Sequence, residues 1–113
     1  MKIIEKPWGR EIWVAHTRQY ALKIIEFKKG SRSSLQYHRL KHEHIYLDTG
    51  KVKFEFEDDS GQLKEILFLP GDVIEMIPGK KHRVTAHEDS RFIEVSTPEL
   101  EDVVRVEDDY GRE

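Results

Sequence analysis

The chain has 113 residues, 37% of them apolar and 36% charged, with a net charge of -3 and no cysteine. That length suits one domain, spanning residues 1–113, with one real core. The missing thiols exclude disulfides and thiolate metal sites, so any metal must be held by nitrogen and oxygen. Neither sign of charge forms a long block, so nothing points to nucleic acid or an anionic membrane as partner. The opening residues lack the apolar stretch of a signal peptide, and no run approaches the roughly 20 apolar residues of a membrane helix. The chain reads as soluble and cytoplasmic.

In chain order, the first expected strands are Glu11–Val14, Tyr20–Phe27, Ser33–His38 and His42–Leu47. Lys51–Glu57 alternates strictly, with Val52, Phe54 and Phe56 on one face and Lys51, Lys53, Glu55 and Glu57 on the other. That is the pattern of a half-buried strand. Asp58, Asp59, Ser60 and Gly61 supply a turn, and Leu63–Leu69 returns as the second arm of a hairpin. Val73–Met76, His82–Thr85 and Arg91–Ser96 complete about nine short strands, punctuated by Gly30, Gly50, Gly71 and Pro78-Gly79. Even spacing without long helical periodicity predicts an all-β sandwich or barrel. In the charged tail, Glu101–Glu113, the apolar Val103, Val104, Val106 and Tyr110 can pack back onto that barrel.

One segment carries chemistry. Gln36 and His38 are two apart, so on a strand they face the same way. A turn over Arg39 to Lys41 starts the next strand near His42, which lets Glu43 face the same cavity. His82 follows the turn Pro78-Gly79-Lys80-Lys81. Two imidazoles, a carboxylate and an amide oxygen suit one divalent ion: Zn, Mn, Fe, Co or Ni. The competing reading is a solvated hairpin edge rich in histidine.

The succession Gly30, His38, Glu43, Gly50 resembles the first signature of the cupin superfamily, with Gln36 in place of its first histidine. Gly71 to His82 resembles the second signature, with Gly79 and His82 in register. These imply a cupin double-stranded β-helix, a jelly-roll barrel, with Gln36, His38, Glu43 and His82 as metal ligands. The likeness extends further. Lys6-Pro7-Trp8-Gly9, Ser34 to His38, Glu43-His44, Pro78 to Arg83, Ile93 to Val95 and Glu101 to Arg112 resemble motifs of the cupin domain of type II mannose-6-phosphate isomerases, which also occurs as the C-terminal part of mannose-1-phosphate guanylyltransferases. Leu40, Lys41, His42 and Ile45 depart from that family's pattern beside the acid. No nucleotidyltransferase domain accompanies the motifs in these residues.

The resemblance implies a metal-dependent sugar-phosphate isomerase, interconverting mannose 6-phosphate and fructose 6-phosphate through an enediolate. Such chemistry needs a Lewis acid and a base that shuttles a proton between C1 and C2. Glu94, within the apolar strand Arg91–Ser96, is the candidate base, since burial raises a carboxyl pKa. Arg105 is the candidate holder of phosphate or developing charge; its alternative is a surface pair with Glu101 or Asp102. Lys23, Arg32, Lys41 and Arg83 are further phosphate candidates, each read first as a solvated charge, and His16 and His87 read as surface residues. Trp8 and Trp13 read as packing residues, and His44 as pointing away from the metal. The competing functions are another cupin metalloenzyme, such as a dioxygenase using Fe or Ni, and a sugar- or metal-binding module. An open barrel has sheet edges that need cover, and the apolar segment around Ile3, Ile4 and Trp8 suggests a homodimer.

Overall fold

A computed structural model describes residues 1–113 and contains eleven strands and no helix. No helix is therefore long and apolar enough to cross a membrane. The strands are β1 (Lys2–Lys6), β2 (Gly9–His16), β3 (Ala21–Phe27), β4 (Leu35–Tyr37), β5 (Glu43–Thr49), β6 (Val52–Glu57), β7 (Leu63–Phe68), β8 (Val73–Met76), β9 (His82–Ala86), β10 (Ser90–Ser96) and β11 (Val104–Glu107). They form a six-stranded sheet, β1-β2-β3-β10-β5-β8, and a five-stranded sheet, β11-β4-β9-β6-β7, antiparallel throughout. The result is the expected all-β jelly roll.

Alternation explains which residues face inward. In β6, Val52 and Phe54 are both 0% exposed, and β7 pairs with it from Val52↔Phe68 to Glu57↔Leu63. The hairpin turns where expected: Asp58 Oδ1 accepts from the Ser60 and Gln62 amides, and Gly61 takes a φ of 84° that favours glycine. Phe54, Phe68, Leu47, Phe92 and Val84 fill the space between the sheets. Each such fully buried side chain contributes roughly 1.5–3 kcal/mol.

The two strands not expected lie at the ends. β1 forms a hairpin with β2, closing at Lys6↔Gly9 around Pro7 and Trp8. Trp8 then turns under the sheet and stacks on Phe27, ring centroids 4.1 Å apart. A side chain at Gly9 would meet the Glu26 carbonyl oxygen at 1.9 Å, which is why glycine follows this tryptophan. Trp8 is 6% exposed, so it is part of the core and not available to a neighbouring chain as expected. At the other end β11 pairs with β4 through Val104↔Tyr37 and Arg105↔Gln36. The tail thus packs back onto the barrel as a strand, and it brings Arg105 beside Gln36.

Candidate metal centre and its cavity

Three of the four expected ligands meet inside the barrel. His38 follows β4, Glu43 opens β5 and His82 opens β9. Glu43 Oε1 lies 3.6 Å from Nε2 of both His38 and His82. Ligand atoms of the three all fall within 4.8 Å of one another, and all three residues are buried. The imidazoles are pre-oriented. His38 Nδ1 donates to the Asp102 carbonyl at 2.5 Å and His82 Nδ1 to the Lys80 carbonyl at 3.2 Å. With Nδ1 protonated in each ring, each Nε2 presents its lone pair to the shared centre, the tautomer a metal ligand needs. Gln36 lies opposite His82 across β4 and β9 and also lines the cavity. Its amide oxygen accepts from Ser34 Oγ at 2.6 Å, which leaves one lone pair unused.

Asp102 builds the turn that sequence reasoning placed at Arg39–Lys41. Its carboxylate accepts from the amides of Arg39, Leu40 and Lys41 at 3.1, 2.7 and 3.0 Å. These bonds hold the Asp102 carboxyl below its ordinary pKa, against the upward push of burial. One residue therefore fixes both the His38 tautomer and the entry of Glu43 into β5. The surface pair expected between Asp102 and Arg105 does not form, because the Asp102 carboxylate is committed to these three amides.

Lys41 is not a solvated charge. It is 3% exposed, with Nζ 2.8 Å from Glu43 Oε2 and 3.2 Å from Glu94 Oε2. Glu94 Oε2 also lies 3.5 Å from Lys23 Nζ, which contacts Glu11 Oε1 at 3.1 Å. Trp13 Nε1 donates to the same Glu11 oxygen at 3.0 Å. A row of alternating charge thus runs Glu43, Lys41, Glu94, Lys23, Glu11. Three carboxylates face two ammoniums, so the row carries one surplus negative charge, which a divalent ion at His38, Glu43 and His82 would offset. The donor set and this charge balance both fit a divalent metal. Glu43 Oε2 is committed to the Lys41 ammonium at 2.8 Å, which leaves Oε1, 3.6 Å from both imidazoles, as the oxygen facing the shared centre.

The ionisation states follow. Burial pushes Glu43 up, but the neighbouring His38, the Lys41 ammonium and the neighbouring His82 hold it well below the usual carboxylate range. Burial pushes the Glu94 carboxyl up, helped by the Glu43 charge and opposed by both lysines. Burial pushes His82 below its ordinary value, which favours the neutral imidazole a metal requires. Lys41 is held above its ordinary value: burial opposes its charge, and Glu94 and Glu43 more than restore it.

The cavity measures about 370 Å³ and is lined by His38, Glu43, His82, Glu94, Trp13 and a group of cations. Arg105 is among them, and its buried Nε has no hydrogen-bond partner. Lys6 and Arg112 line it too. Burial lowers the pKa of Lys6; Arg105, Lys23 and Arg112 repel its proton further and Glu11 opposes them. Other expectations resolve differently. Arg83 is buried but structural, donating to the carbonyls of Ser33 and Glu107. Arg32 pairs at the surface with Asp109. His16 and His87 are exposed, and His44 points outward as expected.

Residues 2–108 match the model of the family described as mannose-6-phosphate isomerase C-terminal. The chain belongs to that family. Solved structures place this cupin domain among related folds. The KdgF structure from Halomonas sp. superposes with a TM-score of 0.78 at 21% identity, covering 89% of this chain and 91% of that one. The Lactobacillus farciminis oxalate decarboxylase formate complex gives 0.77 at 20% identity, covering 93% of this chain and 33% of that one. For the Bacillus subtilis oxalate decarboxylase the values are 0.73 and 20%, with 86% and 27% covered. The cupin domain thus spans about a third or less of the length of those decarboxylases. At these identities the likeness shows the fold alone. Among curated sequences, none matches the chain at a significant level.

Proposed function

We propose that this cupin domain is a metal-dependent isomerase of a sugar phosphate, interconverting mannose 6-phosphate and fructose 6-phosphate. The observation that carries the reading is one cavity holding three groups with distinct tasks: the His38, Glu43 and His82 cluster, the buried carboxylate of Glu94, and the unpartnered cation Arg105. A divalent ion, one of Zn, Mn, Fe, Co or Ni, supplies a Lewis acid that polarises the substrate carbonyl and its neighbouring hydroxyl. Glu94 takes the proton from one carbon and returns it to the next. Lys41 and Lys23 fix the Glu94 carboxylate in place by contacts at 3.2 and 3.5 Å. Arg105 and Lys6 receive the phosphate, whose charge relieves the repulsion between these cations.

A coupled assay with mannose 6-phosphate, supplemented in turn with Zn, Mn and Co, tests this. Glu94→Gln is expected to lower turnover by roughly 10²–10⁴-fold, the contribution of a positioned general base. Metal and sugar-phosphate binding should persist. Binding without turnover in the unaltered chain would make it a binding module, and oxygen consumption would make it an oxidative cupin.

Gln36 is proposed as the fourth ligand. An amide oxygen is a weaker donor to these ions than an imidazole nitrogen, so the centre keeps a position open to substrate oxygens. Gln36→His should slow metal loss to a chelator and reduce turnover. Unchanged values of both would remove Gln36 from the ligand set.

A homodimer is proposed as well. β1 and β8 are the outermost strands of one sheet and β11 and β7 those of the other, and of these β7 exposes Leu63, Ile66 and Leu67. Sedimentation at micromolar concentration should give twice the chain mass, and a monomer there would reject the dimer.

A further inference from the structure

Outside the barrel, on the opposite face of β5 from Glu43, stands a second group of ligand-bearing side chains. His42 and His44 are two apart where β5 begins, so they project to the same side. Glu75, on the edge strand β8, is the cross-strand partner of His44. Glu75 Oε2 lies 2.7 Å from His42 Nε2 and 4.0 Å from His44 Nε2. Ligand atoms of all three fall within 4.8 Å of one another.

We propose that His42, His44 and Glu75 form a second metal site, for a borderline divalent transition ion of the zinc type. Four donors at zinc bond lengths stand about 3.3 Å apart around a tetrahedron. The two distances to the Glu75 oxygen, 2.7 and 4.0 Å, bracket that value, so small side-chain rotations suffice. The backbone beneath is already fixed. The His42 amide donates to Thr97 Oγ1 at 3.0 Å, and its carbonyl accepts from the Thr97 amide at 3.0 Å. His44 sits in the ladder between Val95 and Glu75. Along this outer face the neighbouring residues are Val95, Tyr46, Val73 and Ile93, and the one arginine further along it, Arg91 on β10, is paired with Asp48 at 2.7 Å and not with Glu75.

Two imidazoles and one carboxylate select zinc-like ions over magnesium or calcium, which prefer oxygen. Three protein donors leave a fourth position for water or another ligand. Bound there, the ion ties β8, the outermost strand of its sheet, to β5. The site is independent of the cavity: the side chains at positions 42 and 44 point outward while Glu43 between them points inward.

The test uses untagged full-length protein stripped by chelator, with zinc binding followed by competition against a chromophoric chelator. In the His38→Ala/His82→Ala background, one zinc ion per chain should still bind. Adding His44→Ala, or separately Glu75→Gln, should weaken that binding by roughly tenfold or more. Both changes lie at exposed positions, and near-UV circular dichroism reports whether the barrel is intact. Cobalt in the same background should give the visible absorption of a low-coordinate ion, abolished by His44→Ala. No zinc retained in the cavity variant, equal affinity in His44→Ala, or equal binding of magnesium would each overturn the proposal. Because both cavity imidazoles are absent from the test background, failure of the cavity reading leaves the result interpretable.

Discussion

His38→Ala and His82→Ala are each expected to abolish tight divalent-metal binding at the cavity while leaving the barrel folded. Each removes one of three close donors, and the remaining imidazole and carboxylate, with only the weak amide oxygen of Gln36 beside them, hold the ion poorly against water. The fold survives because the core sits elsewhere, on Leu47, Val52, Phe54 and Phe92. The structural cost differs between the two. His38→Ala deprives the Asp102 carbonyl of its 2.5 Å hydrogen bond, a loss of about 1–3 kcal/mol if the group stays dry. His82 in addition lies nearly parallel to Phe54, 8° between planes and 6.2 Å between centroids, so His82→Ala opens a gap against the core and should be the less stable variant. Elemental analysis of the folded variants in a His44→Ala background, which removes the outer site, with thermal unfolding alongside, checks both parts. Metal retained at the cavity in both would remove the proposed centre.

Lys41→Ala is expected to cost about 3–5 kcal/mol in stability, the effect of removing one member of a buried ion network. Lys41 is the ammonium between Glu43 and Glu94, at 2.8 and 3.2 Å. Without it two buried carboxylates face each other, and Glu94 keeps only Lys23 as counter-charge. The loss should depend on pH. In the unaltered chain, Lys41 has its pKa raised, so its contribution is complete below the ordinary lysine value and disappears as pH rises through the elevated one. In the variant, Glu94 is an acid with its pKa raised further, so the protonated form favours folding. The metal-free variant should therefore be more deficient near neutrality than at about pH 5, where Glu94 can take up a proton. Urea unfolding of metal-free protein across that range is the measurement. A cost under about 1 kcal/mol, independent of pH, would mean that solvent reaches the network.

The N-terminal signature has a comparable double role. Lys6-Pro7-Trp8-Gly9 closes the β1–β2 hairpin, sends Trp8 into the core and leaves Lys6 at the cavity. A sequence motif that looks like a family label is here the device that closes one side of the site.

What the amino-acid sequence determined by itself was local and periodic. Strict alternation in Val52–Glu57, the glycine-bearing turn at Asp58–Gly61, and the spacing from Gln36 to Glu43 and on to His82 fix strand faces. Those faces are dictated by chain geometry over a few residues. Some buried charges were legible by the same rule. Lys23 shares its face with Ala21, Ile25 and Phe27, and Glu94 shares its face with Phe92. For Lys23 the strand period, and not the charge, decides the side it faces. Only the tertiary structure decided what distant segments do to one another. The Lys41 ammonium becomes buried because β10 carries Glu94 past the start of β5, and desolvating a charge requires a partner that no local pattern reveals. Asp102 orders a turn more than sixty residues earlier, and Arg105 reaches the cavity because β11 pairs with β4. Backbone pairing across such separations is set by the closing of the whole barrel, in which each edge left by one strand becomes the template for another.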